Sequence, residues 1–476
     1  MSCDWGDTMT VLRVSASRTK AVRLALCSAL LLAVCAAGGA LAPRAHALPS
    51  PASGGPVWWW EYRGPSLVID NYEDCVRCPD GSLVAAGYAE DDGVDSGNIY
   101  VAKFTSGGAP VWQKSWNGPD DLTDVGIAVT SDRDSNVIVA GLRGSTAGQQ
   151  DLVVLKWSSN GAFKWNAVYD GALHHDDAAY DVTTDARGDV VACGIDAEGT
   201  NALVIKFRAA TGTRAWARLI STTSGGQLAA NSLVVDGARN IYVTGRRREP
   251  NEKNDAFLVK YSPAGKVVWQ RTWDGGAHLD DQGLVVRLAP GPALYVAGTT
   301  AGAATGDNAL LLKYDLAGHR KWARTWDGAA HGSDYILDLA CDARGNALMA
   351  GTSASGGPSG DHGLLIKYTA TGRRAWTRTW YNWPTSGFAR YYAAVVSGSG
   401  RCWVTGVMLA DSGRLGMLVT RYSAAGRQEW VRVWEGPTGL GASPQGLVSG
   451  GGGLFVCGKL MHGVNDTEAF AGVVMK

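Results

Sequence analysis

Tyr242 to Trp273 reads YVTGRRREPNEKNDAFLVKYSPAGKVVWQRTW, and this stretch decides the fold. It holds an apolar run closed by Gly245, a second run from Ala256 to Tyr261, a Ser262–Gly265 turn (SPAG) and a last run from Trp269 to Trp273. Apolar runs of this length, bounded by turn residues, read as β-strands. The pattern occurs eight times. Its closing glycine falls at Gly87, Gly141, Gly194, Gly245, Gly298, Gly351, Gly406 and Gly458, at spacings of 51 to 55 residues. A fourth run precedes each glycine-ended one, as at Tyr180 to Asp185, and an Asp-x-x-Gly-Asn turn such as Asp342 to Asn346 joins the two. Four short strands per unit at this period predict the blades of a β-propeller.

The two ends of the repeat region complement each other. Trp58-Trp59-Trp60-Glu61-Tyr62 is a last-type run with no earlier runs before it, whereas Ala469 to Lys476 is a third run with none after it. The expectation is a single all-β domain over 57–476, with eight four-stranded blades closed by the N-terminal strand, which would remove the free sheet edges. Seven blades is the alternative, should the poorly matching unit around Phe388 to Gly406 pack irregularly.

The residues before the repeats read as a targeting segment. Arg18, Lys20 and Arg23 make a positive start, Leu24 to Leu41 an apolar stretch, and Ala45-His46-Ala47 a small-x-small cleavage site. Residues 1–47 are therefore expected to be a signal peptide and 48–56 a short linker, with the protein secreted, periplasmic or on the cell surface. An uncleaved anchor is the alternative, because the apolar stretch nearly reaches the length that spans a bilayer. No second long apolar run occurs, so no membrane insertion is expected after cleavage.

The chain carries 44 basic and 44 acidic residues; without the leader, 39 basic face 42 acidic, a charge of −3. No basic stripe is present, which disfavours nucleic acid as a partner. Six cysteines remain after the leader. Cys193 and Cys457 precede a repeat glycine, where other copies carry small residues, and read as buried apolar groups. Cys75-x-x-Cys78 would form a local disulfide, remain reduced, or serve as half of a metal or redox site; no second CxxC completes a zinc site. In the last-type runs, Trp269, Arg271 and Trp273 alternate onto one face, as do Trp322, Arg324 and Trp326. Their recurrence predicts packing between blades with cation–π contacts, and ligand stacking is the alternative.

The segments Arg239-Asn240-Ile241-Tyr242-Val243-Thr244-Gly245 and Asp255-Ala256-Phe257-Leu258-Val259-Lys260-Tyr261 resemble the repeats of secreted bacterial β-propeller proteins, relatives of NHL-type propellers. The resemblance covers 57–476 and implies a fold far more than a function. Gly265-Lys266-Val267-Val268-Trp269 is similar to the tryptophan-docking turn of quinoprotein propellers, which are eight-bladed. Those enzymes carry long insertions and adjacent cysteines near their cofactor, and this chain has neither, so that resemblance implies the scaffold alone.

The loop that leads from each Trp-rich strand into the next unit holds the candidate site. Eight residues past the last aromatic an aspartate recurs at Asp70, Asp124, Asp177, Asp281 and Asp334, and three residues before it stand His174, His278, His331 or Asp121. Around a channel mouth, Asp121, Asp124, Asp177, Asp281, Asp334, His174, His278 and His331 would form an incomplete ligand-binding ring. Asp177, Asp281, Asp334, His174, His278 and His331 would be its metal ligands, for calcium or zinc. The alternative is that each aspartate caps its own turn. Asp132-x-Asp134-x-Asn136 starts like a calcium loop but lacks the distal glutamate, and reads as a turn. Lys156, Lys206, Lys260, Lys313 and Lys367 recur too regularly to be one catalytic group. No G-x-S-x-G, HExxH or Walker A pattern occurs. The expectation is a monomeric, exported binding module for an unidentified protein or glycan, with no certain cofactor. A metal-assisted hydrolase or lyase on the same loops, and a purely structural surface scaffold, are the alternatives.

Overall fold

The computed structural model describes residues 45–46, 58–62, 70–90, 97–146, 149–221, 226–249, 253–354, 360–380, 388–410, 412–436, 441–450, 453–461 and 467–474. The expected signal peptide and linker lie outside the described residues, apart from Ala45–His46. Among the described residues, no helix is long and apolar enough to cross a membrane.

Seven four-stranded antiparallel sheets follow one another along the chain, over 71–116, 125–169, 178–221, 227–273, 281–326, 334–380 and 389–434. They are blades 1 to 7. The unit around Phe388 to Gly406 is regular, with Ala389–Val396 paired to Cys402–Leu409. Blade 8 is the sheet that the two chain ends share. Trp58–Tyr62 pairs with Thr467–Val474, which continues into Gly453–Met461 and Ala442–Gly450. Ala45–His46 adds a fifth strand beside Trp59 and Trp60. The first strand of each blade neighbours the first strand of the next, and that of blade 8 neighbours that of blade 1, so the ring is closed around a central channel. The all-β propeller and its closure by the N-terminal strand agree with the sequence.

The repeat glycine has a steric cause. Every inner strand carries a β-bulge at the same place, as between Ala230 and Ser232, and the glycine pairs with the residue just before it. A Cβ at Gly245 would land on the carbonyl oxygen of Ala229, and the seven other repeat glycines meet the equivalent oxygen. The bulge and the glycine are thus one device, used in all eight blades to bend the innermost strand.

The Trp-rich outer strands lock blade to blade, the expected packing role. Trp216 Nε1 donates to Pro263 O of the next blade at 3.2 Å, Trp269 to Leu316 O at 3.2 Å and Trp376 to Ala424 O at 3.0 Å. Arg218, Arg271 and Arg378 reach two residues further into the same turns, their Nε donating to Gly265, Gly318 and Gly426 carbonyls at 2.7–2.8 Å. Each guanidinium also stacks on its own tryptophan, at 5.4 Å for Arg271 over Trp269. Gly265 is required twice over, by a φ of +78° and by the Trp216 ring 2.7 Å from where its Cβ would be. The recurrent lysines are structural as well. Lys156 pairs with Asp132 at 2.9 Å and Lys206 with Asp185 at 2.7 Å, beneath the turns that those aspartates cap. Asp132 Oδ1 accepts the Asp134 and Asn136 N–H groups, so the sequence there is a turn.

Candidate functional site

Four inter-blade loops, those entering blades 2, 3, 5 and 6, are built as Asp/Asn-Gly-x-x-His/Asp followed by the aspartate at the start of the next inner strand. The glycine carbonyl accepts the N–H of the fourth residue after the first, and that residue turns into the left-handed region. Its φ is 53° at Asp121, 52° at His174, 51° at His278 and 53° at His331. Such a conformation is costly for most side chains and cheapest for Asp, Asn and His among those with a Cβ. A side-chain brace then holds it. His174 Nδ1 bonds Asp170 Oδ2 at 2.7 Å, His331 Nδ1 bonds Asp327 Oδ2 at 2.6 Å, and His278 bonds Asp274. In blade 1's loop Asn117 Nδ2 donates to Asp121 Oδ1 at 2.6 Å. The three imidazoles are 73%, 78% and 67% exposed, each tied to its own loop.

The aspartates of the ring are buried and committed to backbone. Asp124 accepts the Gly118 N–H at 2.5 Å and the Gly144 N–H at 3.1 Å. Asp177 accepts Gly171 at 2.6 Å and Ala197 at 2.9 Å. Asp281 takes the Gly275 N–H with the Thr300 hydroxyl beside it, and Asp334 takes Gly328 at 2.7 Å beside Ser353. Each carboxylate ties its own loop to the second strand, or the hairpin after it, of the blade that the aspartate opens.

Burial pushes Asp124, Asp177 and Asp281 up to about 6, against the pull of the N–H donors, and raises Asp334 as well. An acid whose folded pKa is raised stabilises the fold fully below its unfolded value near 4 and loses that contribution as pH rises through about 6. The turn acids Asp132, Asp185, Asp236 and Asp342 are shifted the other way and lose theirs as pH falls below their unfolded value. Thermal melts should therefore show a falling melting temperature from pH 4.5 to 7, and Asp124→Asn should flatten that slope. An unchanged slope would mean that the carboxylate is already ionised at pH 4.5.

Among the described residues, one group of three has metal-ligand spacing: Asp255, Asp274 and Asp281, with ligand oxygens within 4.8 Å of one another. It lies at the seam of blades 4 and 5 and contains one of the six expected metal ligands. His278 touches the group through Asp274, while Asp177, Asp334, His174 and His331 belong to other loops. Asp274 directly follows the Trp-rich strand. Asp255 is the second residue of the third strand opposite it, one step beyond the Ala256–Trp273 pair. Blade 2 has the same two positions, Asp151 and Asp170, but there Arg143 bonds Asp151 at 2.8 Å from the facing strand. The equivalent Arg247 faces Asp255 in register and turns its guanidinium to Glu249 instead. The carboxylates Asp274 and Asp255 add to the burial that raises Asp281.

A cavity of about 530 Å³ occupies the central channel, lined by inner-strand residues from the bulge onward, including Asp74, Asp181, Ser232, Arg287 and Asp338. None of the eight candidate residues lines it. Its polar groups stitch neighbouring inner strands: Asp74 accepts the Val129 N–H at 3.1 Å, Asp181 that of Leu233 at 3.0 Å, Ser232 that of Val286 at 3.3 Å and Asp338 that of Ala394 at 2.9 Å.

No protein-family model and no curated protein matches this chain. Solved structures do. The quinohemoprotein alcohol dehydrogenase from Comamonas testosteroni is similar at 12% identity and a TM-score of 0.54, over 89% of this chain and 77% of that one. The β-propeller domain of the trilobed protease from Pyrococcus furiosus is similar at 5% identity and a TM-score of 0.42, over 73% and 93%. A polysaccharide lyase, an ulvan lyase, gives 9% and 0.44, over 73% and 91%. At such identities the likeness is one of fold. This is a β-propeller repeat chain.

Proposed function

We propose that the chain is an exported binding module, a rigid propeller whose loop face is organised by a divalent cation, calcium, at Asp255, Asp274 and Asp281. The observation that carries this reading is the convergence of three carboxylates at one seam, with ligand oxygens within 4.8 Å of one another. Like charges set this close repel one another, and a hard cation with oxygen ligands relieves that repulsion better than a proton on Asp281. An all-carboxylate set favours calcium over zinc, because the imidazole of His278 is engaged with Asp274. The cation would fix the third strand of blade 4 to the loop entering blade 5, and so present that rim to a protein or glycan ligand.

Calcium titrated into the metal-free protein should bind with one equivalent per chain and raise the melting temperature. At a hundredfold excess over Kd the added stability is about 2.7 kcal/mol. The pair Asp255→Asn with Asp274→Asn should abolish both effects and leave the fold intact, and His278→Ala should weaken binding less. An absence of binding heat together with a calcium-indifferent melt would leave these acids as loop braces and the module without a cation site.

A further inference from the structure

Cys75 and Cys78 are three residues apart in sequence but belong to different seams. Cys75 packs with Phe104, Phe455 and Cys457 in the cluster between blades 8 and 1. Cys78 packs with Val129, Val139 and Val153 in the cluster between blades 1 and 2, next to the Ser82 and Ser131 hydroxyls. The first strand of blade 1 and the turn after it direct the two thiols into opposite interfaces, an arrangement that does not suit the local disulfide weighed from the CxxC spacing. Among the described residues all six cysteines are free thiols.

The thiol beside Cys75 is Cys457, which lies in the second strand of blade 8 and is the cross-strand partner of Gly446. The place of a Cβ on Gly446 is 2.8 Å from Cys75 Sγ and 2.9 Å from Cys457 Sγ. The two sulfurs converge on the space left by a missing side chain, and they hydrogen-bond to each other. In the other blades the position of Gly446 is held by Asp74, Ala128, Asp181, Ser232, Val285, Asp338 or Ala393, so blade 8 alone leaves this gap.

We propose that Cys75 and Cys457 form a disulfide that covalently joins blade 8 to blade 1, across the seam where the ring closes. The step is a thiol–disulfide exchange. The two S–H bonds break, the Sγ–Sγ bond forms, and two electrons and two protons pass to an oxidising disulfide, which leaves as two thiols. The bond is made as the ring closes, because afterwards burial drives the Cys75 thiol well above its ordinary pKa and withholds the thiolate that exchange requires. The loop it encloses contains nearly the whole propeller, the case in which a cross-link most restricts the unfolded chain.

The test uses the chain from Leu48 onward, unfolded under reducing conditions and refolded with and without an oxidised and reduced glutathione buffer. After oxidative refolding, four of the six cysteines should react with a thiol reagent in denaturant, and peptide mapping should recover one linked pair, Cys75 with Cys457. The oxidised protein should melt about 5 °C above the reduced form. Cys75→Ser and Cys457→Ser should each lose that difference, and Cys193→Ser should keep it. Six reactive thiols after oxidative refolding, or a linked peptide with any other pairing, would overturn the proposal. Thiol count and peptide map on the unsubstituted chain decide the matter even where a serine variant fails to fold.

Discussion

Gly245→Ala is expected to destabilise the propeller by about 3 kcal/mol, far more than a single methyl group ordinarily costs on a strand. The methyl would land on the carbonyl oxygen of Ala229, which is backbone and cannot swing aside as a flexible side chain would. Relief requires the inner strand Gln227–Val235 to part from Ile241–Arg248 at its bulge, and that bulge also sets the spacing of the channel-lining residues. Gly298→Ala and Gly351→Ala should cost about the same, because the clash there is with the equivalent carbonyls of Gln282 and Tyr335. Gly237→Ala is the control: no atom lies within 4 Å of its Cβ position, and its effect should stay within about 0.5 kcal/mol of zero. Urea unfolding of the four variants measures this directly. Equal losses at Gly237 and Gly245 would mean that the repeat glycines act through chain entropy, and not through the bulge.

The same contrast shows which parts of the molecule were legible in the sequence. A repeat glycine is visible because all eight blades solve one local problem in one way, so the signal is written eight times. The docking tryptophans share that property, and Arg271 could be placed between blades before any coordinate was known. The aspartates recur visibly in the sequence, but their role is not legible there. A sequence places Asp177 beside a channel mouth without telling whether its oxygens are spent on Gly171 and Ala197. The histidines illustrate the same limit. Their recurrence three residues before an aspartate suggested metal ligands, yet their shared left-handed φ and their bonds to Asp170, Asp274 and Asp327 serve the loop itself. The acid cluster was missed because it depends on where one arginine points. Arg143 and Arg247 occupy the same register, and only the structure separates the one facing Asp151 from the one turned to Glu249. The nearness of Cys457 to Cys75 is not legible in the sequence for a topological reason, since the two lie at opposite ends of the chain and meet only when the ring closes.

Removing Trp58–Tyr62 should be the most damaging short deletion in the protein. The strand matches Trp58 to Val473, Trp59 to Gly472, Trp60 to Ala471, Glu61 to Phe470 and Tyr62 to Ala469. Without it Thr467–Val474 becomes the edge of a three-stranded sheet, with a row of unpaired N–H and C=O groups open to a second chain. Five cross-strand pairs at roughly 1 kcal/mol per hydrogen bond give a loss on the order of 5 kcal/mol, before any side-chain packing is counted. The expected result is a melting temperature at least about 5 °C lower by calorimetry, with concentration-dependent association by size-exclusion chromatography. A synthetic peptide spanning residues 57–62, added in excess, should restore part of the lost stability, because blade 8 presents a preformed edge of matching register. The deletion also discriminates between two ways of closing the ring. If blade 8 holds its place chiefly by packing its inner strand Ala442–Gly450 against that of blade 1, Asn71–Arg77, the truncated protein should keep its melting temperature and ignore the peptide. If the ends of the chain close the ring by hydrogen bonding, both the loss and the rescue must appear.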